Sequence, residues 1–117
     1  MQMKVTRRYM MAALAGAAVL VAGVAAHAGN LTGKYSVKGR NPDGSQYTGK
    51  VNIIDNNGAV AMSWHVGNTY SGAGRVVGRV LTVDWGSDAP VIYVINTNGT
   101  LYGTWAKGTA LELLTKQ

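Results

Sequence analysis

The sequence contains no cysteine and no phenylalanine, and its 117 residues include only two prolines and two histidines. Without cysteine, no disulfide can stabilise the fold and no thiolate can serve as a metal ligand or nucleophile. With so few histidines, a zinc or copper site would also lack ligands. Charged residues make up 14% of the chain, and no block of like charge typical of an interaction tail is present. We therefore expect neither a metal site nor a cofactor.

The longest apolar stretch lies at the N-terminus. Three basic residues precede an uncharged segment at 10–26, which ends in Ala26-His27-Ala28. A basic start, an apolar middle and small residues at the positions read by signal peptidase are typical of an export signal. We predict a signal peptide over 1–28, cleaved after Ala28, and a periplasmic or secreted mature domain over 29–117.

Two further questions concern this N-terminal segment. Its 17 apolar residues are few for a membrane-spanning helix and are rich in alanine, so a permanent anchor is the less favoured alternative. The segment Thr6-Arg7-Arg8-Tyr9-Met10-Met11 fits a loose twin-arginine export pattern. Export by the general secretory route or by the twin-arginine route is compatible with the sequence, and the second route would carry an already folded domain.

Basic residues outnumber acidic ones, but the excess is smaller in the predicted mature domain than in the whole chain. The sequence has 11 Lys and Arg against five Asp and Glu, a formal net charge of +6. Three of the basic residues belong to the predicted signal peptide, so the mature domain keeps eight against five acids, a net charge of +3. These eight are scattered singly, without the basic stripe that nucleic-acid binding requires. We expect a monomer whose partner is a small molecule or an extracellular macromolecule, not a nucleic acid or a membrane.

Alternating apolar residues recur throughout the mature domain. The clearest example is Val60-Ala-Met-Ser-Trp-His-Val66, in which every second residue is large and apolar. Such period-two patterns predict half-buried antiparallel strands. Turn sequences such as Asn41-Pro-Asp-Gly44 and Asn98-Gly99 separate them,. Eight strands are predicted between the turns, at 32–39, 46–55, 59–66, 69–77, 79–85, 90–97, 100–106 and 109–115.

The short connections predict how these strands are arranged. Strands adjacent in sequence are expected to pair, which gives an all-β, up-and-down antiparallel meander. Closure of eight short strands into a small barrel would remove the exposed edges. An open, curled sheet or a two-sheet sandwich is the structural alternative. Glycines inside the predicted strands, such as Gly49, Gly72 and Gly103, favour tight curling of the strands over room for a ligand.

Tryptophan and tyrosine supply the candidate ligand-binding residues. The three tryptophans lie in the apolar register of their strands, and each aromatic ring combines a large apolar face with one polar group. They either fill a narrow barrel interior or line a pocket at its mouth. The candidate contacts are Trp64, Trp85, Trp105, Tyr47, Tyr70 and Tyr102.

The titratable residues do not form a recognisable catalytic motif. His65 is the one histidine of the predicted mature domain, and alternation places it on the solvent face,. Asp43 and Asp55 are predicted in turns, while Asp84 and Glu112 are predicted on solvent faces. No serine-containing nucleophile motif surrounds these residues. We therefore predict no catalytic residue, and a hydrolase that uses His65 is only a distant alternative.

Several segments together resemble a known group of proteins. Tyr35-Ser-Val-Lys-Gly39, followed by Asn41-Pro-Asp-Gly-Ser-Gln-Tyr47-Thr-Gly49, resembles the opening of a group of small exported bacterial proteins, some of which are labelled fibronectin-binding. The likeness continues through Pro90-Val-Ile-Tyr93 and through Asn98-Gly-Thr-Leu-Tyr-Gly-Thr-Trp105. Members of that group often contain a central cysteine pair, which this chain lacks. The resemblance implies a secreted single domain and brings no catalytic residue with it.

These observations leave three hypotheses for function. An exported, non-enzymatic binding module of unknown ligand is favoured, because inward-facing aromatics occur in a domain without catalytic motifs. An adhesin-like protein that binds extracellular matrix is the first alternative, and it depends on the resemblance and on the scattered basic residues. The hydrolase is the second.

Overall fold

The computed structural model describes residues 29–117, in which eight antiparallel strands form a closed barrel. The strands are β1 Gly33–Arg40, β2 Gln46–Asn56, β3 Ala59–Val66, β4 Asn68–Val77, β5 Val80–Asp84, β6 Val91–Ile95, β7 Leu101–Trp105 and β8 Ala110–Lys116. The predicted signal peptide, including Ala28 at its cleavage point, lies outside the described residues. No helix within the described part of the chain is long and apolar enough to cross a membrane.

The predicted all-β barrel is confirmed, and each strand pairs with its neighbour in sequence. Closure occurs between β1 and β8, where Val37 lies opposite Leu114. Every strand therefore has two hydrogen-bonded neighbours, which excludes the open sheet and the sandwich. The Asn-Gly turn chemistry also holds, because Asn57 (φ 53°) and Gly58 (φ 92°) both adopt left-handed conformations between β2 and β3,.

Alternate residues of the strands point into the barrel and form one apolar core. Burial of these side chains supplies most of the stability of a domain without disulfides. The buried apolar side chains are Leu31, Tyr35, Val37, Val51, Ile53, Val60, Met62, Trp64, Leu81, Val83, Val91, Tyr93, Ile95, Leu101, Ala110 and Leu114.

One end of the barrel is closed by the segment that precedes β1. Leu31 is buried there, and its carbonyl oxygen accepts a hydrogen bond of 2.7 Å from the hydroxyl of Tyr35. The carboxylate of Asp55 accepts hydrogen bonds from the backbone N–H of Leu31 at 2.9 Å and of Gly58 at 2.8 Å. Asp55 was expected in a turn, but it is buried near the end of β2. Its carboxylate connects the N-terminal segment to the β2–β3 turn.

Glycines inside the strands allow the barrel to curl tightly. A Cβ atom at Gly49 would overlap the carbonyl oxygen of His65, and one at Gly74 would overlap the carbonyl oxygen of Thr82. The neighbouring backbone is thus closer than any side chain would permit. These contacts support the expectation that strand glycines serve close approach between strands.

Candidate functional site

The opposite end of the barrel contains a cavity of about 220 Å³. It is surrounded by the first residues of β2 and β4, the last residues of β3 and β7, and the segment that follows β5. Sites for drug-sized ligands begin at roughly 300 Å³, so this cavity fits a smaller molecule. The lining residues are Asn41, Tyr47, Trp64, Val66, Tyr70, Trp85, Val91, Trp105 and Glu112.

A buried carboxyl group forms part of the cavity wall. Glu112 is only 4% exposed. Its Oε1 atom accepts a hydrogen bond of 2.8 Å from the hydroxyl of Tyr47. Its Oε2 atom accepts hydrogen bonds from Trp64 Nε1 at 3.0 Å and from the hydroxyl of Tyr93 at 2.5 Å. Three donors thus replace water around a group that would otherwise be very costly to bury.

Sequence reasoning was wrong about Glu112, which it placed on a solvent face. In β8 the inward positions are Ala110, Glu112 and Leu114, whereas Leu111 and Leu113 on the other face are only partly buried. The apolar residues on both faces of this strand concealed the true register. The buried glutamate was therefore missed as a candidate site residue.

Strand register explains how the barrel accommodates this side chain. Glu112 lies between Gly39 of β1 and Gly103 of β7, its two cross-strand partners. On its other side, Gly39 is paired with Tyr47 of β2. In the same way, Gly103 is paired on its other side with Tyr93 of β6. A Cβ atom at either glycine would overlap the ring of the adjacent tyrosine. The two glycines therefore let both tyrosine rings lean towards the carboxylate, and we call this five-residue set the Tyr-Gly-Glu-Gly-Tyr row.

Four aromatic rings follow one another along the cavity wall. Tyr47 contacts Trp105 with ring centroids 6.4 Å apart and an interplanar angle of 67°. Trp105 contacts Trp85 at 6.0 Å and 86°, and Trp85 contacts Tyr70 at 5.8 Å and 82°. Each pair has the edge-to-face geometry that aromatic quadrupoles favour. We call these four residues the aromatic rim.

The polar atoms of the tryptophans are engaged within the protein. Trp64 Nε1 donates to Glu112, Trp105 Nε1 donates to the hydroxyl of Tyr47 at 3.0 Å, and Trp85 Nε1 donates to the carbonyl oxygen of Ala89 at 3.2 Å. These bonds fix the orientation of the indoles. They also mean that the rings offer a ligand their faces and edges rather than their N–H groups.

Five of the six candidate residues from the sequence line this cavity. Trp64 is buried within the core, so it combines the two alternatives of core filling and pocket lining. Tyr102 is separate from the others: it lies on the outer surface of β7, 45% exposed, opposite Val94 and Leu113. The lining residues that sequence reasoning did not select are Asn41, Val66, Val91 and Glu112.

His65 lies on the outside of the barrel, exposed to solvent as predicted. Its cross-strand partners are Lys50 and Thr69, so neither an acid nor a serine stands opposite it. Among residues 29–117, no three His, Cys, Asp or Glu side chains are grouped as a metal site would need.

Burial governs the protonation of the tyrosines around Glu112. Removal from solvent, followed by the negative charge of Glu112 and the hydrogen bond to it, raises the pKa of Tyr47 and Tyr93 well above the ordinary value of 10,. Burial and the charge of Asp55 raise the pKa of Tyr35 in the same direction. At neutral pH the phenols of Tyr47 and Tyr93 therefore remain donors to the carboxylate.

These raised pKa values predict a loss of stability at alkaline pH. Above pH 10, the ordinary pKa of tyrosine, the unfolded chain releases phenol protons that the folded protein retains, so the free energy of unfolding falls as pH rises further. Below that pH the contribution is fully present. Tyr47→Phe should make the alkaline decline shallower, whereas Tyr102→Phe on the outer surface should leave it unchanged. Urea unfolding measured below and above pH 10 tests this prediction. It is contradicted if the free energy of unfolding falls equally steeply with pH in Tyr47→Phe and in Tyr102→Phe.

No protein-family model matches this sequence, and neither a curated protein nor a solved structure matches it. The function is therefore inferred from the geometry of the cavity and from the sequence.

Proposed function

We propose that the mature domain is an exported, non-enzymatic binding module whose small-molecule ligand occupies the cavity at the barrel mouth. The observation that carries this proposal is the aromatic rim beside a buried, fully hydrogen-bonded Glu112. Apolar walls with a few fixed polar groups are the usual composition of small-molecule sites. The proposal of export depends on the basic and apolar pattern of 1–28,.

The hydrogen bonds around Glu112 favour binding over catalysis. A general acid or base exchanges a proton with its substrate at hydrogen-bond distance. Both oxygens of Glu112 already accept hydrogen bonds from Tyr47, Trp64 and Tyr93, and the raised pKa of each tyrosine makes its phenol a weak acid. The cluster is suited to holding aromatic rings in place before a ligand arrives, which lowers the entropic cost of binding.

The rim tryptophans provide a direct test of this function. A library of small polar and apolar compounds is screened against the mature domain by thermal shift, and tryptophan fluorescence is then titrated with each compound that raises the melting temperature. A true ligand stabilises the folded state by mass action and perturbs the indole emission. We expect Trp85→Leu to weaken binding at least about tenfold, equivalent to roughly 1.4 kcal/mol.

The matched control is Tyr102→Leu, which removes an aromatic ring from the outer surface. This variant should bind with unchanged affinity. The proposal fails if no compound raises the melting temperature. It also fails if every compound that raises it binds Trp85→Leu with the same affinity as it binds the original protein.

A further inference from the structure

We propose that the ligand is a small organic cation, of the quaternary or methylated ammonium class; this inference rests on the proposed binding function. The cavity brings together two features that attract positive charge. One is the aromatic rim, whose four rings line the cavity, and the other is the carboxylate of Glu112 in the cavity wall, towards which three donors point. No lysine or arginine is among the residues that line the cavity.

The arrangement of the rings suits a cation. Aromatic faces carry negative quadrupole density, and a cation gains when it lies within about 6 Å of a ring centroid, with tryptophan the best partner. Trp85 and Trp105 stand nearly at right angles, at 86°, and Tyr70 continues the sequence at 82° to Trp85. Rings at right angles form a corner in which one methylated ammonium group contacts more than one face.

Other ligand classes fit the cavity less well. An anion would face the charge of Glu112 without a basic residue in the lining to compensate. A sugar or an amide would need several donors, but the N–H groups of Trp64, Trp85 and Trp105 are engaged within the protein. The side-chain amide of Asn41 and the hydroxyl of Tyr70 are the donor groups that the lining offers besides these. A neutral apolar molecule would contact the rings and gain nothing from the carboxylate. The volume of about 220 Å³ limits the cation to a compact one.

A matched pair of probes separates charge from shape. Choline carries a trimethylammonium group, and 3,3-dimethyl-1-butanol is its uncharged isostere. We titrate each into the mature domain and follow tryptophan fluorescence and calorimetric heat. Choline is expected to bind at least about tenfold more tightly than the isostere. Trp85→Leu should weaken choline binding by a similar factor, and Tyr102→Leu should not change it.

Each other outcome overturns the inference. Equal affinity for both probes, lost in Trp85→Leu, contradicts the cation class but supports the cavity as a binding site. Choline binding that survives in Trp85→Leu places the ion elsewhere. Failure of both probes to bind overturns the cation proposal alone, because the compound screen tests the binding function independently. Trp105→Leu serves as a second variant if Trp85→Leu does not fold.

Discussion

Glu112→Leu is expected to lower the free energy of unfolding by at least about 3 kcal/mol. The leucine would fit an apolar interior, but it would leave the hydroxyls of Tyr47 and Tyr93 without their acceptor. The Nε1–H of Trp64 would keep only its longer hydrogen bond, of 3.2 Å, to the hydroxyl of Tyr93. A buried donor that loses its partner costs about 1–3 kcal/mol. Domains of this size are stable by only about 5–15 kcal/mol, so the loss should be evident as a lower midpoint in urea unfolding.

Two further variants identify the cause of this loss. Asp88→Leu removes an exposed acid and should change stability by no more than about 0.5 kcal/mol. Adding Tyr47→Phe to Glu112→Leu removes one of the stranded donors, although it also removes the acceptor of Trp105 Nε1. Because both single variants lose the same Tyr47–Glu112 bond, the double variant should lose less stability than the sum of the two single losses. If Glu112→Leu unfolds at the same urea concentration as the original protein, the carboxylate is not the centre of the hydrogen-bond cluster.

Gly74→Ala is expected to be among the most damaging single methyl additions, at about 3 kcal/mol. Its Cβ would overlap the carbonyl oxygen of Thr82 and would crowd Val83 from 2.9 Å. Because a backbone atom is the obstacle, no side-chain rotation relieves the contact, and β4 must separate from β5. Urea unfolding monitored by circular dichroism measures the loss.

A second glycine distinguishes crowding from backbone strain. Gly44, in the β1–β2 turn, has φ +89° and no neighbouring atom within 4 Å of an added Cβ. Gly44→Ala therefore introduces conformational strain alone, of about 1 kcal/mol. If Gly74→Ala costs no more than Gly44→Ala, then close approach between β4 and β5 does not limit the packing of the barrel.

The fold was accessible from sequence because its signals are local. Alternation along a strand and the turn pairs Asn57-Gly58 and Asn98-Gly99 need only a few consecutive residues. The same alternation correctly placed Trp64, Trp85 and Trp105 on the inner face, so most of the aromatic rim could be anticipated. The arrangement of the rings around the cavity, however, depends on contacts between strands that are far apart in the chain.

The burial of the two acids could not be predicted from local sequence in this way. Glu112 is buried because its donors come from 19, 48 and 65 residues away. Local pattern assigns an isolated glutamate between leucines to solvent, since burial without partners is unfavourable. Asp55 was misjudged for the same reason, because its acceptor role depends on the distant N–H of Leu31. The glycines at 39 and 103 were a usable signal, but only once the register was known.

The Tyr-Gly-Glu-Gly-Tyr row crosses the seam at which the first and last strands meet. Along that seam Ser36 hydrogen-bonds to the carbonyl oxygen of Thr115, 79 residues away. Contacts between such distant residues require the closure of a long loop, and folds dominated by such contacts fold slowly. Glu112 and Tyr47 lie on opposite sides of the seam, so the cavity does not exist until the chain ends have joined. A ligand in the proposed site would therefore be thermodynamically linked to seam closure, and its binding should make the opening of the seam less favourable.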